Sequence, residues 1–183
     1  VAVLCGGALA TAGPREHSVI FGQSSAIVDL GPAFAAFQQY PAGYEAALAI
    51  YDRLVTLNAE LEIRPQLAER WERSSDRRSV IFHMRRGAIF HDGSPVDAAA
   101  VKFNIDRMLD PSVNTTNRPL WDPITSAEVL DRWTLAIRSS LSPDELLGTL
   151  AHGSGAIVSP SAIAAQGQKS MGRRPVGAGP YAL

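Results

Sequence analysis

The stretch Ser79-Val-Ile-Phe-His-Met-Arg-Arg-Gly-Ala-Ile-Phe-His-Asp-Gly-Ser-Pro-Val-Asp97 contains a strand, a turn and a helix start in succession. Its apolar residues at positions 80, 82 and 84 alternate with other residues, as a half-buried strand requires. His91-Asp-Gly-Ser-Pro95 then has the composition of a turn. Asp97 can cap a helix at Ala98–Leu109, and Asp110-Pro111 ends it. The stretch therefore predicts a fold that mixes strands with helices.

Periodicity and turn chemistry predict further elements on both sides of this stretch. Near the N-terminus they are a strand at Ser18-Val-Ile-Phe-Gly-Gln23, a loop at Ile27-Val-Asp-Leu-Gly-Pro32, a helix over 44–55 that ends at Thr56, and a helix over 65–71. Beyond it they are strands at 128–130 and 133–138, a helix through Leu150 that starts with the capping box Ser142-Pro-Asp-Glu145, and a helix from Ser159-Pro160 to Gly167. Short strands alternating with helices indicate an α/β or mixed α+β fold.

The bulk composition excludes several classes of protein. The chain has 183 residues, of which 46% are hydrophobic and 19% charged, as in an ordinary globular protein and unlike a disordered one. Its 17 basic and 18 acidic residues argue against a nucleic-acid or anionic-membrane surface. The single cysteine, Cys5, cannot form an internal disulfide or a metal-thiolate cluster, so we expect no cofactor and no metal.

The first twelve residues, Val1-Ala-Val-Leu-Cys-Gly-Gly-Ala-Leu-Ala-Thr-Ala12, are apolar and small. Ala10-Thr11-Ala12 fits the pockets of signal peptidase, which predicts that residues 1–12 are the remnant of a signal peptide cleaved after Ala12. A buried N-terminal strand or helix is the alternative. Leu4 is larger than the residue a lipobox places before its cysteine, so we expect no lipid anchor on Cys5.

Familiar catalytic motifs are incomplete. His83 and His91 fall on a strand and in a turn, without the spacing that directs two imidazoles at one metal. Ser94 lacks the G-x-S-x-G elbow of a hydrolase nucleophile. Gly177-Ala-Gly-Pro180 has no following lysine, which disfavours a phosphate loop. A small secreted hydrolase that uses Ser94 or His91 remains the alternative function.

Six phrases occur in order along the chain and carry a family resemblance. They are Tyr51-Asp-Arg-Leu-Val55, Pro65-Gln-Leu-Ala-Glu-Arg-Trp71, Phe82-His-Met-Arg-Arg-Gly87, Phe90-His-Asp-Gly-Ser-Pro95, Ala100-Val-Lys-Phe103 and Pro175-Val-Gly-Ala-Gly-Pro-Tyr181. The sequence resembles the family 5 extracellular solute-binding proteins, which serve dipeptide, oligopeptide, glutathione and nickel importers. The resemblance implies a periplasmic binding protein-like II fold, in which two lobes close on a ligand by a hinge motion.

The resemblance also implies a division of the chain. Residues 13–58 would start lobe I, residues 59–172 would form an insertion subdomain of that lobe, and residues 173–183 would return to it. Family members are much longer, so the second lobe would follow Leu183 and this chain would present half of a cleft. We therefore expect weak or absent ligand binding by the chain itself, and an exposed half-cleft that can drive dimerisation.

Similarity to the family suggests three ligand-binding regions. They are Asp29, Gly31, Pro32 and Phe34 in a loop, the aromatic residue Trp121, and the turn His152, Gly153 and Ser154. Trp121 would stack on a ligand as an exposed aromatic, or else simply pack in the core. His152-Gly153-Ser154 would donate hydrogen bonds to a carboxylate, or else serve as a plain connection after a helix.

The family resemblance extends to ligand, partners and location. Asp97-Ala-Ala-Ala-Val-Lys102 and Ile124-Thr-Ser-Ala-Glu128 look closest to the glutathione and short-peptide branch, while nickel chelate, opine and sugar ligands remain open. The implied protein is a non-enzymatic periplasmic component of an ABC importer, monomeric when complete, that contacts membrane permease subunits and no nucleic acid. A peptide-binding chaperone or sensor on the same scaffold is a further alternative.

Overall fold

A computed structural model describes residues 41–75, 79–113 and 117–183 of the chain. In chain order its helices and strands are α1 (Pro41–Ile50), β1 (Val55–Leu57), β2 (Ile63–Pro65), β3 (Ala68–Arg73), β4 (Ser79–Met84), α2 (Ala98–Leu109), α3 (Arg118–Trp121), β5 (Ile124–Asp131), β6 (Thr134–Ser139), α4 (Pro143–Ala151) and α5 (Pro160–Gln166). Short 3-10 helices follow α4 at Gly153–Gly155 and α5 at Gln168–Gly172. The expected leader, first strand and first loop lie outside the described residues.

The centre of the fold is an antiparallel sheet of four strands in the order β3-β4-β6-β5. Phe82 of β4 lies opposite Leu135 of β6, and both side chains are fully buried. Burial alternates along β4 as the sequence pattern predicts, because successive side chains of a strand point to opposite faces. The predicted strands at 79–85, 128–130 and 133–138 are therefore confirmed, with β4 one residue shorter and β5 longer than expected.

Helix α2 covers one face of this sheet. Its bounds match the prediction, and the Asp97 carboxylate accepts a hydrogen bond of 3.1 Å from the backbone N–H of Ala100, which caps its first turn. Val101, Ile105 and Met108 on the helix share one hydrophobic core with Phe82 and Leu135 of the sheet. The predicted turn before α2 is also present, since Ser94 N–H donates to the Asp92 carboxylate within it.

The predicted helices after β6 are confirmed as well. Ser142 and Glu145 form a complete capping box at the start of α4, which ends at Ala151. The hydroxyl of Ser159 accepts from the N–H of Ala162 at the start of α5, and Gly167 follows its last residue with φ 77°. Helix positions set by local capping chemistry are thus the ones that the sequence predicts well.

The first predicted helix is too long. Helix α1 ends at Ile50, because the backbone after Tyr51 pairs with other parts of the chain instead of continuing the hydrogen bonds of the helix. Ile157 N–H donates to the Asp52 carbonyl at 2.9 Å, and Leu67 N–H donates to the Arg53 carbonyl at 3.0 Å. These tertiary hydrogen bonds outcompete the apolar spacing that predicted a helix over residues 51–55.

The helix predicted over residues 65–71 is wrong, since β2 ends at Pro65 and β3 occupies Ala68–Arg73. Leu67 and Trp71 are four residues apart, and that spacing puts two side chains on one face in either a helix or a strand. Pairing with β4 decides the matter, with Trp71 opposite Phe82. Trp71 is half-buried and packs against the large core, as its aromatic character suggested.

Two hydrophobic clusters fill the interior. The larger lies between the sheet, α2 and α4, and the smaller joins α1 to the segment around Val158 and α5. The half-buried Val176 packs against both clusters, so residues after Gly172 return to the body of the fold. No helix within the described ranges has the length and apolar character needed to cross a bilayer.

Candidate functional site

The turn after α4 is closed by its own side chains. His152 leaves the helix with an extended backbone, and its Nδ1 accepts a hydrogen bond of 3.1 Å from the Ser154 N–H. The Ser154 hydroxyl lies 3.0 Å from the same Nδ1. Because Nδ1 accepts from a backbone N–H, it carries no proton, and the proton of the neutral ring is on Nε2. His152 is thus held as a hydrogen-bond donor through Nε2.

Trp121, the last residue of α3, meets this turn. Its Nε1–H donates to the Ser154 hydroxyl at 3.3 Å, and the hydroxyl can in turn donate to His152 Nδ1. The indole is only 2% exposed. The expectation of an exposed, stacking aromatic is therefore wrong, and the packed alternative describes this tryptophan. The buried indole and its single N–H donor hold Ser154 in place, and Ser154 in turn orients the His152 ring.

Arg53 lies beside the same turn, between α4 and β1. Nη1 donates to the Ala151 carbonyl at 2.9 Å and Nη2 to the Thr56 hydroxyl at 2.8 Å, and the residue is 8% exposed. Burial lowers the pKa of Arg53, and Tyr44 and Asp52 counteract part of that effect. A guanidinium nonetheless remains charged at neutral pH. Arg53 therefore brings a fixed positive charge to the site.

The charge of Arg53 acts on His152. Burial lowers the pKa of the imidazole below its ordinary value of 6.5, and the nearby guanidinium lowers it further. The ring of Tyr44 on α1 lies 6.5 Å from the His152 ring at a tilt of 51°. We call Tyr44, Arg53, Trp121, His152 and Ser154 the His152 corner. The corner combines the positive charge of Arg53 with neutral hydrogen-bond donors, and this combination suits a carboxylate.

The structure thus unites some predicted site residues and adds others. Trp121, His152, Gly153 and Ser154 come together, while Asp29, Gly31, Pro32 and Phe34 lie outside the described residues. Tyr44 and Arg53 were missed as site residues. Arg53 does stand in the phrase Tyr51-Asp-Arg-Leu-Val55, but the sequence contains no signal that separates a buried arginine from an exposed one.

The remaining motif residues have structural partners. His83 Nε2 lies 3.1 Å from a Glu72 carboxylate oxygen across the sheet. His91 Nε2 lies 2.9 Å from the Gly179 carbonyl, and Gly177 N–H donates to His91 Nδ1 at 3.4 Å. No group of three His, Cys, Asp or Glu residues in the described part of the chain is arranged to hold a metal ion.

The glycine-rich stretch at 177–180 packs against the end of α1. A Cβ atom on Gly177 would lie 2.1 Å from the Ile50 carbonyl oxygen, and one on Gly179 would lie 2.6 Å from that of Ala49. Gly179 N–H donates to Ile50 O at 2.8 Å, and Tyr181 N–H donates to Ala49 O at 3.2 Å. The glycines therefore permit a close backbone approach that satisfies carbonyls at the helix end.

Comparison with known proteins identifies the class. Residues 62–183 match the profile of the bacterial extracellular solute-binding proteins, family 5 Middle. The chain is 32% identical over 180 residues to the glutathione-binding protein GsiB of Escherichia coli O6:K15:H31, a match covering 96% of this chain and 35% of that protein. Its structure is similar to that of the PBP AgaA of A. tumefacien R10 in complex with agropinic acid, with a TM-score of 0.75, 31% identity, and coverage of 86% and 31% of the two chains.

A second solved structure agrees. The periplasmic binding protein DppA of Helicobacter pylori, in complex with peptide STSA, matches with a TM-score of 0.71 and 25% identity over 84% of this chain and 34% of that chain. The mixed α/β fold is thus the fold of periplasmic binding proteins. The chain belongs to family 5 of the bacterial extracellular solute-binding proteins. It spans about a third of the length of the curated relatives that it matches.

Proposed function

We propose that this chain forms the first lobe of the substrate-binding component of an ABC importer, which captures a short peptide or glutathione-like solute outside the cytoplasmic membrane. In this proposal residues 1–12 are a signal-peptide remnant, 13–58 begin the lobe, 59–172 form its insertion subdomain, and 173–183 return to it. The contacts of Gly177 and Gly179 with the end of α1 support that return. The completed protein is a periplasmic monomer that delivers its solute to membrane permease subunits.

The observation that carries the proposal is the chemistry of the His152 corner. Arg53 supplies a buried positive charge, and neutral His152 carries a proton on Nε2. Peptides and glutathione both present free carboxylates, which bind most tightly to charged donors held in place beforehand. Ser154 and Gly153 shape the turn, and Trp121 supports it from beneath. The loop residues Asp29, Gly31, Pro32 and Phe34 complete the proposed ligand contacts.

The relatives favour an acidic, peptide-like solute. GsiB is named for glutathione, and DppA was solved with the peptide STSA. AgaA holds agropinic acid, so opines remain within the range of solutes to test. A nickel chelate is a further solute to test, because the family that the sequence resembles also serves nickel importers.

A secreted hydrolase is not favoured. A serine nucleophile needs a histidine base, whereas Ser94 Oγ donates to the Asp92 carboxylate. Both ring nitrogens of His91 face backbone groups of Gly177 and Gly179. Among the described hydrogen bonds, none joins Ser94 to His91. We propose that the completed protein binds its solute without catalysis, in keeping with a solute-binding family.

The test is calorimetric titration of glutathione, dipeptides, tripeptides, an opine and a nickel chelate into two proteins. One is this chain, which we expect to bind weakly or not at all. The other is a longer gene product that continues past Leu183, which we expect to bind one of these solutes. If the longer product binds none of them, capture of peptide-like solutes is rejected as the function.

A matched pair of variants tests the site. In the longer product, His152→Ala removes the Nε2–H donor, and we expect about a tenfold loss of affinity, the effect of one hydrogen bond to a charged group. His83→Ala is the control, since His83 contacts Glu72 on the sheet. Equal affinities of the two variants would reject the corner as a ligand contact while leaving solute capture itself intact.

A further inference from the structure

The backbone of Arg53 is held by a side chain from the segment between β2 and β3. The Arg53 carbonyl accepts a hydrogen bond of 3.0 Å from the Leu67 backbone N–H. The Arg53 N–H, in contrast, donates to Oε1 of the Gln66 side chain, also at 3.0 Å. Arg53 is buried, and a buried N–H that lacks a partner destabilises a fold. The Gln66 carboxamide therefore fixes the backbone from which the Arg53 side chain extends.

The other end of the same carboxamide binds Asp52. Nε2 of Gln66 donates to a carboxylate oxygen of Asp52 at 2.6 Å. Burial raises the pKa of the Asp52 carboxyl, while the hydrogen bond from Gln66 and the charges of Arg53, Arg85 and His91 lower it in part. Gln66 thus favours the ionised form of the carboxylate next to Arg53. The two bonds also fix the orientation of the amide, because a backbone N–H only donates and an ionised carboxylate only accepts.

The Arg53 guanidinium has few partners of its own. Nη1 donates to the Ala151 carbonyl and Nη2 to the Thr56 hydroxyl. Nε is buried without a hydrogen-bond partner among the described residues. A guanidinium has five N–H donors, so these contacts leave part of its donor capacity unused. The position of its charge therefore depends on the anchored backbone and on the neighbouring carboxylate of Asp52.

We propose that Gln66 is the positioning residue of the His152 corner. Its carboxamide fixes both the backbone of Arg53 and the carboxylate of Asp52, and it thereby places the Arg53 charge beside His152. Gln66 makes no contact with the solute in this proposal. Its effect on solute affinity rests on the function proposed above, whereas its effect on the position of Arg53 does not.

The pKa of His152 reports where the Arg53 charge lies. Burial and the charge of Arg53 both lower that pKa, and no other charged group in the described part of the chain is a cause of the shift. If the guanidinium moves away, the pKa of His152 rises toward its ordinary value of 6.5. A loss of stability by itself does not produce this rise. The His152 pKa therefore separates a positioning role of Gln66 from a purely structural one.

The experiment is an NMR titration of the histidine rings in this chain and its variants. Gln66→Met keeps the length of the side chain and removes both hydrogen bonds, and Arg53→Met gives the reference rise of the His152 pKa. Gln166→Met is the matched control, since Gln166 at the end of α5 likewise donates from its amide to a carbonyl, that of Arg174. The His152 signal is identified by its absence in His152→Ala.

We expect the His152 pKa to rise in Gln66→Met, in the same direction as in Arg53→Met, and to keep the parent value in Gln166→Met. The loss of the Gln66 anchor lets the Arg53 guanidinium move away from the imidazole, so the cation no longer lowers the pKa as strongly. A His152 pKa in Gln66→Met equal to that of the parent overturns the proposal.

A measurement on the parent keeps the proposal falsifiable if Gln66→Met does not fold. Hydrogen exchange compares the Arg53 amide, which donates to the Gln66 side chain, with the Leu67 amide, which donates to the Arg53 carbonyl. Similar protection of the two amides supports the anchor. Exchange of the Arg53 amide at the rate of a solvent-exposed amide overturns it.

The second readout is calorimetric titration of glutathione into the longer gene product. Gln66→Met should weaken binding about tenfold, the effect of one misplaced charged donor, while Gln166→Met should leave it unchanged. A raised His152 pKa with unchanged affinity overturns Gln66 as a determinant of solute binding. If the longer parent binds no glutathione, that solute is rejected for the function proposed above, and the titration of His152 still decides the role of Gln66.

Discussion

The side chain of Ser159 connects two distant parts of the fold. Its hydroxyl accepts from Ala162 N–H at the start of α5 and donates to a carboxylate oxygen of Asp92, in a turn 67 residues away. Asp92 also accepts from the backbone and hydroxyl of Ser94. Helix α5 is thereby capped and fastened to the turn before α2 through one atom. That turn and α5 are therefore expected to lose stability together.

Substitution Ser159→Ala tests this link. We expect unfolding free energy to fall by about 1–2 kcal/mol, the usual cost of a lost helix cap. Ser161→Ala is the matched control, since Ser161 is exposed within the same helix and should change stability by less than about 0.5 kcal/mol. Urea denaturation at pH 7 measures both. An equal effect of the two substitutions would contradict the cap.

Asp92 gives the same link a pH dependence. Partial burial raises the pKa of its carboxyl, but hydrogen bonds from Ser159 and Ser94 outweigh burial and set the pKa below its ordinary value of 3.8. The unfolded state therefore binds a proton more readily than the folded state, so stability rises with pH between the two pKa values. The contribution is complete above pH 3.8 and is lost as pH falls through the folded pKa.

The pH series extends the Ser159 experiment. Below pH 3.8 the stability difference between the parent and Ser159→Ala should shrink, because protonated Asp92 no longer accepts a charge-assisted hydrogen bond. Denaturation at pH 7, 4 and 3 measures that difference. A difference that stays constant over this range would show that Asp92 takes no part in it.

At the scale of elements, Asn104 fastens α2 to the segment after α4. Its amide nitrogen donates to the Val158 carbonyl at 2.9 Å, and its amide oxygen accepts from the Val158 N–H at 3.0 Å. The Asn104 side chain thus makes the two hydrogen bonds with the Val158 backbone that a neighbouring strand would otherwise make. This reciprocal pairing explains how an extended, buried segment can lie beside a helix without unsatisfied backbone groups.

Asn104→Ala should therefore lower unfolding free energy by about 2–4 kcal/mol, since it leaves two buried backbone groups of Val158 without partners. Lys102→Ala, on the solvent side of the same helix, should cost no more than about 0.5 kcal/mol through loss of its ion pair with Asp106. Hydrogen exchange at the Val158 amide is the specific measurement. Unchanged protection of that amide in Asn104→Ala would contradict the assignment.

At the scale of the whole molecule, the final residues join the two hydrophobic clusters. Val176 packs against both, and Gly177 and Gly179 lie against the end of α1. Ser159 N–H also donates to the Val176 carbonyl at 3.0 Å. We therefore expect the two clusters to unfold in one cooperative transition, because the final segment, through Val176, packs against both of them.

Gly177→Ala tests how closely this final segment packs against the end of α1. The added methyl would stand 2.1 Å from the Ile50 carbonyl oxygen, so the backbone must move apart, and we expect a loss of at least about 2 kcal/mol. Gly148→Ala is the control with the opposite sign. It lies within α4 with nothing inside 4 Å of a Cβ atom and should gain up to about 1 kcal/mol. Thermal unfolding of both variants should show opposite shifts.

The sequence by itself determined the elements whose ends are fixed locally. Asp97, Ser142 and Ser159 place helix starts through hydrogen bonds that span three residues, and strict alternation places β4 and β6. The ordered phrases were also enough to indicate family 5, because the order of several short matches is far more specific than any one of them.

Only the tertiary structure decided the remainder. It ended α1 at Ile50 and turned residues 68–73 into a strand, because hydrogen bonds from distant backbone groups override a spacing that fits both helix and strand. It buried Trp121 against Ser154 and placed Arg53 close to His152, which is almost 100 residues away in the sequence. Burial and long-range proximity depend on how elements pack, and a local pattern contains no information about either.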